Sequence, residues 1–139
     1  MFSKILIAND GSPGAKKAFA TAILMAKRYK AELHMICVEE LPSLPVTMDE
    51  VVEEKLEANH RIEKVMSAAR AEAEAQRVKL VTHIAAGHAV PRIVEFAESG
   101  RFDLVVIGFM GHSALYNRLI GSTMDRVVEL ASCSVLVVK

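Results

Sequence analysis

Short runs of branched apolar residues alternate along this chain with longer stretches in which apolar positions recur every three or four residues. Ile5-Leu6-Ile7-Ala8 is too short for a helix and reads as a buried strand. It stops at Asn9-Asp10-Gly11-Ser12-Pro13-Gly14, where Ser12 is placed to cap a helix and Pro13 sits at its first position, where a missing N–H costs nothing. From Ala15 to Tyr29 the pattern sets Ala18, Ala22, Leu24, Met25 and Ala26 on one side, with Lys16, Lys17, Lys27 and Arg28 toward the other. Leu33 to Val38 is a second strand, and Glu39 to Pro45 a loop, because Pro42 and Pro45 disfavour helical geometry just before them. From Met48 to Arg77, Ile62, Val65, Met66, Ala69 and Ala73 form one apolar stripe on a long helix, while Glu53, Glu57, Lys55 and Arg61 supply its solvated face. Leu80 to Ala86 is a third strand, Gly87 to Pro91 a turn, and Arg92 to Ser99 a short helix. Asp103 to Ile107 is a fourth strand, followed by a loop of little periodicity from Gly108 to about Leu119. A helix starting at Gly121 or Ser122 and running to Ala131 precedes a fifth strand, Val135 to Val138.

Strands alternating with helices predict an α/β fold: a five-stranded parallel sheet covered on both faces, joined by right-handed crossovers. With 139 residues and no internal repeat or linker, the expectation is one domain over 1–139. In open sheets of this kind a ligand binds beyond the carboxyl ends of the strands, where the strand order reverses. Three segments would converge there: the turn after the first strand, the end of the second (Cys37-Val38-Glu39), and the loop opening at Gly108.

Charge and composition narrow the function. Seventeen Lys and Arg balance seventeen Asp and Glu, with ten of each sign in residues 1–70, so there is no basic field to hold nucleic acid. At 52% hydrophobic and 24% charged residues the chain has the means to build a core. The longest near-apolar stretch, Ala18 to Ala26, is too short for a membrane span, and the start lacks the pattern of a signal peptide. The expectation is a cytoplasmic protein with no membrane partner. Cys37 and Cys133 lie in apolar runs and read as small hydrophobes, without disulfide or metal spacing. His34, His60, His83, His88 and His112 likewise show no metal motif; His34 and His83 fall in strands as partly buried residues, and His88 follows the third strand, near the expected ligand. Neither a G-x-x-x-x-G-K-[S/T] loop nor a G-x-G-x-x-G fingerprint occurs. Gly111-His112-Ser113-Ala114-Leu115 half-matches a nucleophile elbow, but Leu115 stands at the last glycine and no histidine follows His112.

The stretch richest in possible chemistry is Gly108-Phe109-Met110-Gly111, then nine residues, then Gly121-Ser122-Thr123. Gly108 allows a sharp turn off a buried strand, and Gly111 a positive φ or a close backbone approach. The amides and hydroxyls of Gly121, Ser122 and Thr123 open a helix, where an anion is favoured. Physics alone leaves two readings open: a cradle for a phosphate chain, or a strand end, a turn and a helix cap. Asp10 carries a similar choice between a ligand contact and a turn residue.

The spacing G-x2-G-x9-G-[S/T], followed by a helix and a Val-rich last strand, resembles the nucleotide-binding signature of the universal stress protein family. Ile5 to Ser12 is similar to that family's opening strand and Asp-Gly-Ser turn, Asp103 to Gly108 to the strand entering the loop, and Ser132 to Val138 to its closing Cys-Pro-Val-Leu-Val-Val run. The resemblance covers essentially the whole chain. It implies a Rossmann-like domain that binds ATP, AMP or another adenine nucleotide, with Mg²⁺ beside a triphosphate. Carried across, Asp10 and the backbone around Ala8 face the nucleoside, Asp10 also being the candidate neighbour of a nucleotide-bound Mg²⁺. Val38 offers main-chain bonds to the adenine edge; Gly108, Gly111 and His112 line the phosphates, and Gly121, Ser122 and Thr123 hold them. The resemblance also implies a homodimer paired through Val135 to Val138, an apolar edge that would otherwise be an aggregation hazard.

The chain departs from that pattern at Phe109 and Met110, where a small polar and often a basic residue is usual, and at Asn9, Asn117 and Ser134. The implied function is an adenine-nucleotide-binding regulator of the stress response. Two alternatives stand beside it: a relative that binds no nucleotide usefully and acts as an interaction module, and a slow ATP hydrolase. For the last, the sequence offers no phosphate-loop lysine and no clear base to orient water.

Overall fold

The computed structural model describes residues 1–40, 47–109 and 123–139. Five strands alternate with helices: β1 (Lys4–Ala8), α1 (Pro13–Tyr29), β2 (Glu32–Glu39), α2 (Met48–Ala75), β3 (Leu80–Ala86), α3 (Ala89–Ser99), β4 (Leu104–Gly108), α4 (Thr123–Leu130) and β5 (Ser134–Val138). The strands form one sheet in the order β3-β2-β1-β4-β5, every neighbouring pair parallel. The chain builds outward from β1 through β2 to β3, then returns to β1's other side for β4 and β5. The order therefore reverses between β1 and β4, which locates the crevice in such a sheet.

Strict alternation along the strands divides the core in two. Ile5, Ile7, Leu33, Met35, Cys37, Leu104 and Val106 pack on one face against α1 and α2. Leu6, Ala8, Ile36, Val105 and Ile107 pack on the other, against Ile93 and Ala97 of α3 and Val127 of α4. Because both faces are covered, the central strands are continuous apolar runs.

Local chemistry starts the first two helices. The Ser12 hydroxyl accepts the Ala15 amide at 3.2 Å, with Pro13 opening α1. Thr47 and Glu50 form a reciprocal capping box at α2 (Glu50 N to Thr47 Oγ1 3.3 Å, Thr47 N to Glu50 Oε2 3.2 Å). The α2 stripe is as expected, with Met66, Ala69 and Ala73 buried and Ile62 and Val65 packed beside them.

Two local expectations need correction. The buried stripe of α1 is Ala15, Ala18, Phe19, Ala22, Ile23 and Ala26, and Leu24 is 64% exposed, because it falls off the three-and-four spacing that this stripe follows. The segment before Arg92 is not a turn throughout: α3 begins at Ala89 and contains Pro91. A proline there is tolerated because the first turn's amides have no carbonyl partner within the helix. No helix among the described residues is long and apolar enough to cross a membrane.

Candidate functional site

A cavity of about 410 Å³ opens at the carboxyl ends of β1, β2 and β4, within the range of small-molecule sites. Ala8, Ile36 and Ile107 form its apolar base, the Asn9–Ser12 turn one side, Val38, Glu39 and Glu40 another, and Gly108, Phe109 and Thr123 a third. Of the residues expected at a site, Ala8, Asp10, Val38, Gly108 and Thr123 thus line one hollow. Gly111, His112, Gly121 and Ser122, like Met110, lie outside the described residues.

The turn after β1 is held by its own side chains. Asn9 is buried; its amide donates to Ile36 O at 3.0 Å, its Oδ1 accepts the Gly11 amide at 2.9 Å, and its Nδ2 meets Met35 Sδ at 3.4 Å. An apolar residue at this position could not make the two side-chain bonds, which accounts for Asn9 where the resemblance expects one. Asp10 Oδ1 accepts the Ser12 amide at 2.9 Å, so Asp10 does turn work and also borders the cavity. An ionised carboxylate has room for about four acceptor bonds, and the two roles coexist. Gly11 has φ +81°, and a Cβ there would stand 2.7 Å from Val65 Cγ2 of α2, so glycine is required on both counts.

Val38 is placed by the sheet. The β1–β2 register ends at Ala8 opposite Ile36, and the Ile36 carbonyl takes the Asn9 amide. Main-chain groups two residues apart on a strand point the same way, so those of Val38 also point toward the β1 side, beyond the last paired residue, where β1 has turned away into its loop.

Gly108 serves a purpose other than the expected turn. It is still within β4, opposite Val138, and a Cβ on it would lie 2.6 Å from Gly14 C and 2.9 Å from Ala15 N. Glycine here lets the first turn of α1 press against the end of β4. Phe109 donates its amide to Val138 O at 2.9 Å, and Lys139 Nζ lies 5.3 Å from its ring centroid. Its half-buried ring borders the cavity without closing it.

Three carboxylates (Asp10, Glu39, Glu40) and one guanidinium (Arg61) are among the described residues lining the hollow. Cys37 lies there too, and burial, with the negative charge of Asp10, pushes its thiol up to about 11, so it is a neutral wall rather than a nucleophile. His88, which follows the third strand, is the N-cap residue of α3 and lines an adjoining hollow of about 400 Å³ with Arg126, sharing Glu40, Ala89 and Thr123 with the first. No cluster of three or more His, Cys, Asp or Glu suited to a metal occurs among the described residues. The sequence reading missed the walls: Ala58, Arg61, Ile62 and Val65 of α2, and Ala89 and Ile93 of α3. A signal for the first set existed, since the α2 stripe continues one turn back from Ile62 to Ala58.

A family model described as "Universal stress protein family" matches residues 1–139. A universal stress protein of Methanocaldococcus jannaschii is 37% identical over 145 residues, covering 100% of this chain and 83% of its own length. One from Bacillus subtilis is 29% identical over 148 residues, with all of both chains covered. Among solved structures, a universal stress protein from Lactobacillus plantarum superposes with a TM-score of 0.86 at 26% identity, covering 99% of this chain and 98% of its own. Another, solved in complex with cAMP, gives 0.80 at 25%, covering 99% and 97%.

Proposed function

The chain belongs to the universal stress protein family, and from that premise we propose that it binds an adenine nucleotide in the cavity at the switch point and acts as a regulator rather than as a dedicated catalyst. The observation that carries this reading is the convergence of Ala8, Asp10, Val38, Gly108 and Thr123 on one hollow. The relative solved with cAMP supports the choice of an adenine nucleotide. In the proposed pose the base lies over the apolar floor with its polar edge on the Val38 main chain, and Asp10 meets the ribose. The phosphates extend past Gly108 toward Thr123, with Gly111, His112, Gly121 and Ser122 completing their cradle.

ATP is included among the ligands, with Mg²⁺ held at its phosphates and Asp10 as the neighbouring carboxylate; the ion would neutralise phosphate charge next to three carboxylates. Pairing of β5, the sheet edge beyond β4, with its copy makes the proposed homodimer. A cytoplasmic setting and a role in stress signalling complete the proposal. Titration calorimetry with AMP, cAMP and ATP, with and without Mg²⁺, tests the binding: saturable one-to-one heat is expected for at least one of them. A folded protein that takes up none overturns the reading. Phe109 in the cavity wall favours a second reading, an interaction module without useful nucleotide affinity, and that outcome would select it. Light scattering of Val137→Lys against the parent chain tests the dimer: the variant should be monomeric, and an unchanged mass would refute pairing through β5.

A further inference from the structure

Away from the cavity, His34 of β2 and His83 of the edge strand β3 meet with Nδ1 of the first 2.9 Å from Nε2 of the second. Their rings are parallel within 2° and their centroids are 5.2 Å apart. That separation is too wide for stacked faces and fits two rings end to end in one plane, with a proton between the nitrogens. A metal in the same line needs two bonds of about 2.0–2.1 Å each, a gap near 4 Å, so the spacing fits a hydrogen bond and not an ion.

The surroundings favour one placement of the protons. His34 Nε2 is buried with no hydrogen-bond partner among the described residues. A stranded N–H there costs more than a bare ring nitrogen, which favours the tautomer with the His34 proton on Nδ1, donated to His83 Nε2, and the His83 proton on Nδ1. Phe102 stands edge-on to His34 (5.0 Å, 83°), and Phe96 of α3 covers His83 (4.5 Å, 53°). The charged groups acting on the pair are Lys4 of β1, which opposes protonation of both rings, and Glu32 of β2, which favours it on His34. Lys4 Nζ is fixed nearby, donating to Gly100 O at 2.7 Å and lying 4.6 Å over the Phe102 ring.

A further proton finds no comfortable place. On His34 Nε2 it strands an N–H among apolar groups; on His83 Nε2 it sets two N–H groups against each other. We propose that the His34–His83 pair is an acid-operated latch between β2 and β3, closed by one shared proton at neutral pH and opened by an added one. Burial first, then neighbouring positive charge, holds both rings below the ordinary imidazole value of 6.5. The folded state therefore binds fewer protons than the unfolded one just below that value; the latch contributes in full above it and is lost as the pH falls through the folded values. The loosened edge borders the cavity, because α3 rests on His83 through Phe96 and supplies Ala89 and Ile93 to the cavity wall.

The test uses the full chain. Two-bond nitrogen–proton spectra at neutral pH should report Nδ1–H tautomers for both rings, titrating together and below 6.5. Amide exchange corrected for intrinsic rate should show protection in β3 falling about tenfold or more relative to β1 between pH 7.5 and 5. His83→Gln, which keeps a hydrogen-bonding group but cannot titrate in this range, should lose that difference. Independent titration near 6.5, Nε2–H tautomers, β3 protection that tracks β1 at every pH, or a His83→Gln chain with the parent's pH response would each overturn the latch. The spectra of the parent chain decide the matter even if the variant does not fold.

Discussion

The two ends of the sheet treat the same backbone problem in opposite ways. At the amino end, Asp103 accepts the Ser3 amide and hydroxyl at 2.8 Å each and the Lys4 amide at 3.0 Å, while Lys4 returns a bond to Gly100 O. The loose groups before β1 and β4 are thereby consumed within the chain. At the carboxyl end the strands stop at different heights, and among the described residues the Asn9–Ser12 turn is the one closed by its own side chains. Val38 and Gly108 are left bordering a hollow. Among the described residues, identical strand chemistry thus yields an end closed by Asp103 and Lys4 and an end where Val38 and Gly108 border a cavity.

The sharpest way to break the receptive end is Gly108→Val. With a Cβ forced to within 2.6 Å of Gly14, overpacking should cost about 3 kcal/mol in urea unfolding and abolish nucleotide uptake. A variant as stable as the parent would mean that α1 and β4 are not so tightly apposed. Asp10→Ala separates binding from folding. Affinity should fall about tenfold, or about 1.4 kcal/mol, while the urea midpoint moves less, since the Asn9–Gly11 and Ser12–Ala15 bonds remain. Equal losses in both measurements would reduce Asp10 to a turn residue.

Ser12→Ala removes a buried cap and should cost about 1 kcal/mol of stability. At the sealed end, Asp103→Asn should cost less, under about 1 kcal/mol, because the half-buried amide keeps the shape of the carboxylate and one of its two acceptor oxygens. Its pH dependence carries the information. Burial works to raise the Asp103 carboxyl, but the Ser3 and Lys4 hydrogen bonds outweigh it and hold the group below its ordinary value. Its contribution is then present above the unfolded value, near 3.9, and disappears as the pH falls through the lowered one. Stability curves of parent and variant should converge in acid; a constant gap would show that the carboxylate's charge is irrelevant.

Most of the architecture was readable in the chain because strands buried on both faces must be continuously apolar and a surface helix must carry a stripe. Ile5 to Ala8 and the Met66–Ala73 stripe leave little choice. Leu24 misled because one apolar residue off the stripe costs little, so its presence does not report burial. Pro91 misled because a proline is a helix breaker only beyond the first turn. For the candidate site, the strand-end residues Asp10, Val38 and Gly108 could be named from pattern and resemblance. The α2 walls could not, since a helix more than forty residues from the first strand meets it only through the fold.

Element type, the two-faced core and the residues at the strand ends follow from local periodicity and turn chemistry, which each short segment carries within itself. Strand order, the covering of the cavity by α2, the closeness that makes Gly108 obligatory and the meeting of His34 with His83 do not. Those depend on segments distant along the chain being packed to within a few ångströms, and a one-dimensional pattern records which residues are buried but not which neighbours bury them.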